Sequence, residues 1–327
     1  MMKMSRLCLV VLLTLRFPSS LSSRACPVSC VCYEHANLVD CQDQGFLQVP
    51  RGLPHGFGAR PGRDVARSVQ AFFSLSFLEK LDLSWNLLTT VPEDFSWSMS
   101  GLKELRLEHN NLRRIPQNSF QSLDSLEKLD LSYNELEAVG PGVLRGLSRL
   151  RQLYLQNNRL SVVQRGSMDM LPGLEVLDLS NNNVSHIDTE ALAPLYSLAV
   201  LALDGNKLHN LKFKTFISLH TTATHIQLSG NPWSCDCELH RDFSKILFVR
   251  YLHIDDYRNV TCHEPPLLAG YSLAWVDSRL CVAETATVLV ITVTVLVTVV
   301  GALVMAERNR KRKERSSPSS HAPWSKG

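Results

Sequence analysis

No glycine-rich phosphate loop occurs in the 327 residues, and the eleven histidines are scattered, none in a recognisable nucleophile, metal or acid–base arrangement. His109 and His225 fall on the solvent side of strand segments, where exposed histidine is ordinary. These absences argue against an enzyme, and no cofactor or metal is implied. Strong charge of one sign is missing as well. Of the net +3, residues 1–23 hold +3 and residues 307–327 hold +5, which leaves −5 for residues 24–306. The bulk of the chain is therefore mildly acidic, and a nucleic-acid partner is not suggested.

What the sequence has instead is a period. "LEKLDLSWNLL" begins at Leu78, "LKELRLEHNNL" at Leu102, "LEKLDLSYNEL" at Leu126, "LRQLYLQNNRL" at Leu150, "LEVLDLSNNNV" at Leu174 and "LAVLALDGNKL" at Leu198. Asn86, Asn110, Asn134, Asn158, Asn182 and Asn206 recur every 24 residues, and Asn231 follows after 25. A repeat this strict outranks any local secondary-structure reading. An amphipathic helical array would show apolar residues at i, i+3, i+4 and i+7 without a fixed asparagine. The template LxxLxLxxNxL reads better as a parallel solenoid, with LxL a short strand pointing two leucines inward. The asparagine turns inward too, where its amide can bond the backbone of adjoining coils. Phe120, Leu123, Leu144, Leu147, Leu192, Leu195, Phe216 and Leu219 anchor the return legs.

Residues 78–231 resemble the leucine-rich repeat family, an α/β solenoid with a curved parallel sheet. Solenoid ends need caps. "CPVSCVCYEHANLVDC" supplies Cys26, Cys30, Cys32 and Cys41, and "NPWSCDCELHRDF" with later residues supplies Cys235, Cys237, Cys262 and Cys281. Spacing alone leaves three connectivities open in each set of four. The two sets look like the flanking modules of extracellular members, residues 24–54 and 232–282. That resemblance implies first-to-third and second-to-fourth pairing: Cys26–Cys32, Cys30–Cys41, Cys235–Cys262 and Cys237–Cys281. A zinc site built from the same thiols is the rival, and the compartment argues against it. Between the N-terminal cap and Leu78, residues 55–77 lack both LxL and the asparagine, and read as a degenerate first repeat.

The compartment follows from the two ends. "MMKMSRLCLVVLLTLRFPSSLSS" has basic residues, an apolar run and then small polar residues, a secretory signal over residues 1–23. Cys8 leaves with it, and eight cysteines in an oxidising lumen fit a disulfide framework. The sequons at Asn183 and Asn259 fit the same lumen, with Asn259 the better placed. Residues 286–306 carry no charge over 21 positions. At 1.5 Å per residue that is about 31 Å of helix, enough to cross a bilayer. Arg308, Arg310, Lys311, Arg312, Lys313 and Arg315 follow at once and place residues 307–327 in the cytoplasm. The expected topology is single-pass type I at the plasma membrane, with the basic cluster against anionic lipid.

Side chains flanking the inward leucines face the concave side. One row reads Lys80, Glu104, Lys128, Gln152, Val176, Val200, His225; the next reads Asp82, Arg106, Asp130, Tyr154, Asp178, Ala202, Gln227. In the first three repeats opposite charges lie side by side and satisfy each other. Tyr154, Val176, Val200 and Ala202 form a less polar stretch, the candidate surface for an extracellular protein ligand in an adhesion or receptor role. The whole plan, with its short charged tail, also resembles the gamma auxiliary subunits of large-conductance calcium-activated potassium channels. That resemblance implies another membrane protein as partner, such as a potassium channel, engaged through the span and the basic cluster.

Overall fold

In a computed structural model each LxL stretch forms a three-residue strand whose middle leucine is buried. The structure describes residues 26–50 and 78–316, apart from Asp94, Trp97, Ser98, His220, Asp277 and Ser278. The expected signal peptide, residues 1–23, and the degenerate repeat, 55–77, lie outside those residues, as does the tail from 317 onward. Two compact units are present, Met1–Ala274 and Trp275–Gly327.

In the first unit the N-terminal cap forms β1 (Val31–Tyr33) and β2 (Leu38–Asp40). The repeats add β3 (Lys80–Asp82), β4 (Glu104–Arg106), β5 (Lys128–Asp130), β6 (Gln152–Tyr154), β7 (Val162–Val163), β8 (Val176–Asp178), β9 (His186–Ile187), β10 (Val200–Ala202) and β11 (Thr224–Gln227). The C-terminal cap supplies β12 (Trp233–Ser234), β13 (Leu252–Ile254) and β14 (Cys262–Glu264). One sheet runs β1-β2-β3-β4-β5-β6-β8-β10-β11-β13, antiparallel only between β1 and β2. The sheet is therefore longer than the seven strands the repeats alone predict. Each cap lends a parallel strand, because a bare sheet edge would leave its amides and carbonyls unpaired.

The return legs run mostly as turns. Helix α1 (Phe213–Ile217) occupies one of them, and β7 and β9 pair in parallel between two successive legs. Their anchors are buried as the period predicts: Phe120, Leu123, Leu147, Leu192, Leu195 and Leu219 expose nothing, and Leu144 and Phe216 only 1%. Full burial of one such side chain stabilises by about 1.5–3 kcal/mol. Inward leucines and return-leg anchors thus form one continuous core along the solenoid.

The asparagines do what the template requires. Asn134 Oδ1 accepts from Leu112 N at 3.0 Å. Its Nδ2 donates to Leu107 O, Leu131 O and Ser132 O at 2.9, 3.1 and 3.0 Å. Each amide so ties its own turn to the preceding coil. The first of them also holds the cap. Asn86 Nδ2 donates to Cys41 O at 2.9 Å, and its Oδ1 accepts from Gln44 N and Phe46 N. Strand β2 pairs directly with β3, Val39 opposite Leu81, so no strand intervenes between cap and first repeat.

Disulfides join Cys26–Cys32, Cys30–Cys41 and Cys235–Cys262. Cys237 and Cys281 are disulfide-bonded as well. In the C-terminal cap, helix α2 (Cys237–Phe248) starts where Asp236 accepts from Leu239 N at 2.7 Å, and packs Phe243 edge-on against Trp233. The second unit holds helix α3 (Arg279–Ser316). Among the described residues one stretch, Thr287–Arg312 of α3, is long and apolar enough to cross a membrane, and none of it is buried.

Candidate protein-binding face

Because side chains alternate along a strand, three rows of the sheet point to the concave side. The register places Lys80, Glu104, Lys128, Gln152, Val176, Val200 and His225 side by side, and His253 of the cap extends the row. The second row runs Asp82, Arg106, Asp130, Tyr154, Asp178, Ala202 and Gln227 in the same pairings. Nine parallel strands at about 4.8 Å give an arc of roughly 40 Å.

The first three coils are largely self-satisfied. Glu104 contacts Lys80 at 3.5 Å, Lys128 at 3.4 Å and Arg106 at 2.9 Å, and Arg106 reaches Asp82 at 3.6 Å. Burial works to raise the Glu104 carboxyl, but Arg106 and Lys128 outweigh it and hold it below the usual carboxylate value. Asp82 and Asp130 each accept the hydroxyl of the serine two residues on, Ser84 and Ser132, at 2.6 Å. Farther along, Tyr154, Val176 and Val200 are half-buried and Ala202 is 6% exposed, so the first three provide the apolar area. Lys128 Nζ lies 5.6 Å from the Tyr154 ring centre. At the far end His225 Nδ1 pairs with Asp255 at 2.8 Å.

The third row was not singled out from sequence: Ser84, Glu108, Ser132, Gln156, Ser180, Asp204 and Ser229, each two residues past the second row. Glu108 stands apart. Its Oε2, like Gln156 Oε1 in the same row, is buried with no hydrogen-bond partner among the described residues, though the carboxyl also accepts from its own backbone amide. Burial, with Asp130 and Asp82 nearby, pushes its carboxyl up to about 7. Burial also raises Asp204, with Asp178 and Asp256 adding to it.

Just beyond this row the backbone turns left-handed in every coil, at Asp43, Trp85, His109, Tyr133, Asn157, Asn181, Gly205 and Gly230. Glycine, asparagine and aspartate tolerate that conformation. A bulky side chain costs about 1–2 kcal/mol there. Trp85, His109 and Tyr133 occupy it nonetheless, stacked ring on ring at 3.7 and 4.2 Å. Trp85 is 51% exposed and Tyr133 47%. The signal was present in the sequence as a column of W, H, Y, N, N, G, G before the asparagine. Only the last four residues of that column reveal the backbone it needs.

The other predicted positions are readily placed. Asn183 and Asn259 are both exposed, Asn183 pointing away from the buried Asn182. Arg308, Arg310, Lys311 and Arg312 lie exposed on α3, Lys311 paired with Glu307 at 3.1 Å, while the side chains of Lys313 and Arg315 lie outside the description. Thr292, Thr294 and Thr298 donate to the carbonyls of Leu289, Ile291 and Val295, each at 2.8 Å, so their hydroxyls are satisfied within the helix. No group of His, Cys, Asp or Glu suited to a metal occurs among the described residues.

Residues 68–112, 100–160 and 148–208 match the family model for the leucine rich repeat. These are leucine-rich repeats. Leucine-rich repeat-containing protein 3 of Danio rerio is 34% identical over 104 residues, 30% of this chain and 39% of that one. Leucine-rich repeat-containing G-protein coupled receptor 5 of Homo sapiens is 33% identical over 99 residues, 28% of this chain and 11% of the receptor. Leucine-rich repeat-containing protein 52 of Homo sapiens is 40% identical over 60 residues, 18% of this chain and 19% of that protein. The alignments thus span well under half the length of these curated relatives. Among solved structures, human 5T4 (Wnt-activated inhibitory factor 1, trophoblast glycoprotein) superposes with a TM-score of 0.53 at 24% identity, over 78% of this chain and 97% of that one. That likeness is one of fold. These curated relatives are leucine-rich repeat proteins, some of them receptors.

Proposed function

We propose that the chain is a non-enzymatic plasma-membrane protein, single-pass type I, which acts by binding other proteins. The observation that carries this reading is the uneven concave face. Its first two rows are charge-paired in the first three coils and leave Tyr154, Val176 and Val200 as half-buried, less polar surface beside them. A face about 40 Å long and four to five residues wide is on the order of 500–600 Å², below one side of a standard interface at about 800 Å². A rim must add to it. In this reading residues 1–23 are the signal, 24–54 and 232–282 the caps with Cys237–Cys281 as the fourth bridge, and residues 307–327 the cytoplasmic tail.

A second reading rests on α3. Its apolar stretch is exposed throughout, and the basic residues that follow would add positive potential to a neighbouring membrane protein within about a Debye length, 8 Å. That is the auxiliary-subunit role, with a potassium channel as the type of partner. Proximity labelling in intact cells separates the two. Val176→Asp with Val200→Asp removes labelled partners if the concave face recognises them. Neutralising Arg310, Lys311, Arg312 and Lys313 removes partners, and weakens modulation of a co-expressed channel under voltage clamp, if the tail does. Labelling unchanged by either set would defeat both readings.

A further inference from the structure

Two features near the start of the sheet lower stability and sit side by side. One is the left-handed column in which Trp85, His109 and Tyr133 take the place of asparagine or glycine. The other is Glu108, next to His109 in sequence, with one carboxylate oxygen buried and without a donor among the described residues. Arg106, the cation that acts on it, is shared with Glu104 and Asp82. Residues that hold an unfavourable conformation at the surface, next to a carboxyl with one oxygen unpartnered, mark a surface kept for something other than folding. The outer two rings, Trp85 and Tyr133, are exposed with His109 half-buried between them, and aromatic side chains dominate the anchoring of protein interfaces.

We infer that the Trp85–His109–Tyr133 column, together with Glu108, is a docking site for an arginine- or lysine-bearing segment of a partner protein. The complementarity is specific. An arginine or lysine side chain has an apolar stem and a charged head. The stem lies along the ring edges, and the head meets the half-exposed Glu108 carboxyl, whose charge its backbone amide and a shared Arg106 offset only in part. Asp130 adds to the negative potential at Glu108, its bond to Ser132 leaving its charge in place, and Asp82, paired with Arg106, adds less. The site rests on the reading of the concave face as a recognition surface. It adds a polar anchor beside the apolar stretch, on the rim where that face is too small alone.

The test uses the full-length chain in phosphatidylcholine nanodiscs and a fluorescent Gly-Ser-Arg repeat peptide, compared with the same peptide carrying neutral citrulline for arginine. Fluorescence anisotropy should show the arginine peptide binding at least tenfold more tightly. Glu108→Gln and Trp85→Asn should each abolish that gap while leaving the melting temperature unchanged or higher, because each removes a feature that lowers stability. Equal binding of the two peptides to the wild type overturns the site, as does a gap that survives both substitutions. A melting temperature that falls in Trp85→Asn would make the stack a structural device and also overturn it. A wild type that ignores both peptides, yet still labels partners through Val176 in cells, defeats this site alone and leaves the concave-face reading standing.

Discussion

Glu108 shows how one residue can work against the fold that carries it. Its carboxyl in the folded chain is pushed up to about 7 by burial, with Asp130 and Asp82 adding to it. A carboxyl whose folded value is raised holds its proton longer in the folded state than in the unfolded one. Its contribution to stability is therefore complete below about 4.5 and is lost as pH rises through about 7. Glutamine at this position stays neutral at every pH. Glu108→Gln should then stabilise at pH 8 by on the order of 1 kcal/mol, a value reduced for solvent screening of a half-exposed group. At pH 4.5 the same substitution should be close to neutral. Melting curves of wild type and variant at the two pH values check this, and an equal difference at both would mean that Glu108 is not the group holding the proton.

The coil is the element here, and its asparagine decides whether neighbouring coils join. Leucine is close to asparagine in size and the site is buried, so on hydrophobic grounds alone Asn134→Leu should be tolerated. The bonds say otherwise. Substitution strands Leu112 N inside the core, at about 1–3 kcal/mol for an unpaired buried amide, and takes one of two donors from the carbonyls of Leu107, Leu131 and Ser132, which keep Asn110 Nδ2, Asn158 Nδ2 and His109 N. Surface expression of Asn134→Leu should be nearly lost, whereas Leu136→Ile should retain most of it. Normal display of the asparagine variant would show that the ladder does not hold the coils together. This much of the fold was legible, because a strict period puts inward leucines, asparagines and concave rows in known places. The cap strands β2 and β13 were not. "LVD" at Leu38 and "LHI" at Leu252 are unremarkable alone, and become strands only because the sheet edges beside them need partners. The aromatic column was hidden for a related reason: a tryptophan before an asparagine gives no hint of a left-handed backbone until the glycines of later coils are aligned with it.

At the scale of the whole molecule, everything proposed about function depends on which side of the membrane the repeats face. The candidate span alone cannot say, since an apolar helix is indifferent to direction. Charge can: six basic residues between Arg308 and Arg315, against Glu307 and Glu314, favour retention of that end in the cytoplasm. The sequons give an independent reading of the same question, because N-glycans are added only on the lumenal side. Asn183 and Asn259 both expose their side chains, so neither is blocked by the fold, and the inward turn of Asn182 does not draw its neighbour in. Both should carry glycans in a secretory cell. Enzymatic removal of N-glycans should then shift the full-length chain on a gel by two steps, and Asn183→Gln or Asn259→Gln should each remove one step. The single-step variants should still reach the surface, since neither side chain belongs to the asparagine ladder. An unglycosylated full-length chain with its last residues accessible to antibody on unpermeabilised cells would reverse the topology. The concave face would then lie in the cytoplasm, where no extracellular ligand could meet it and the caps would lose the oxidising surroundings their disulfides need.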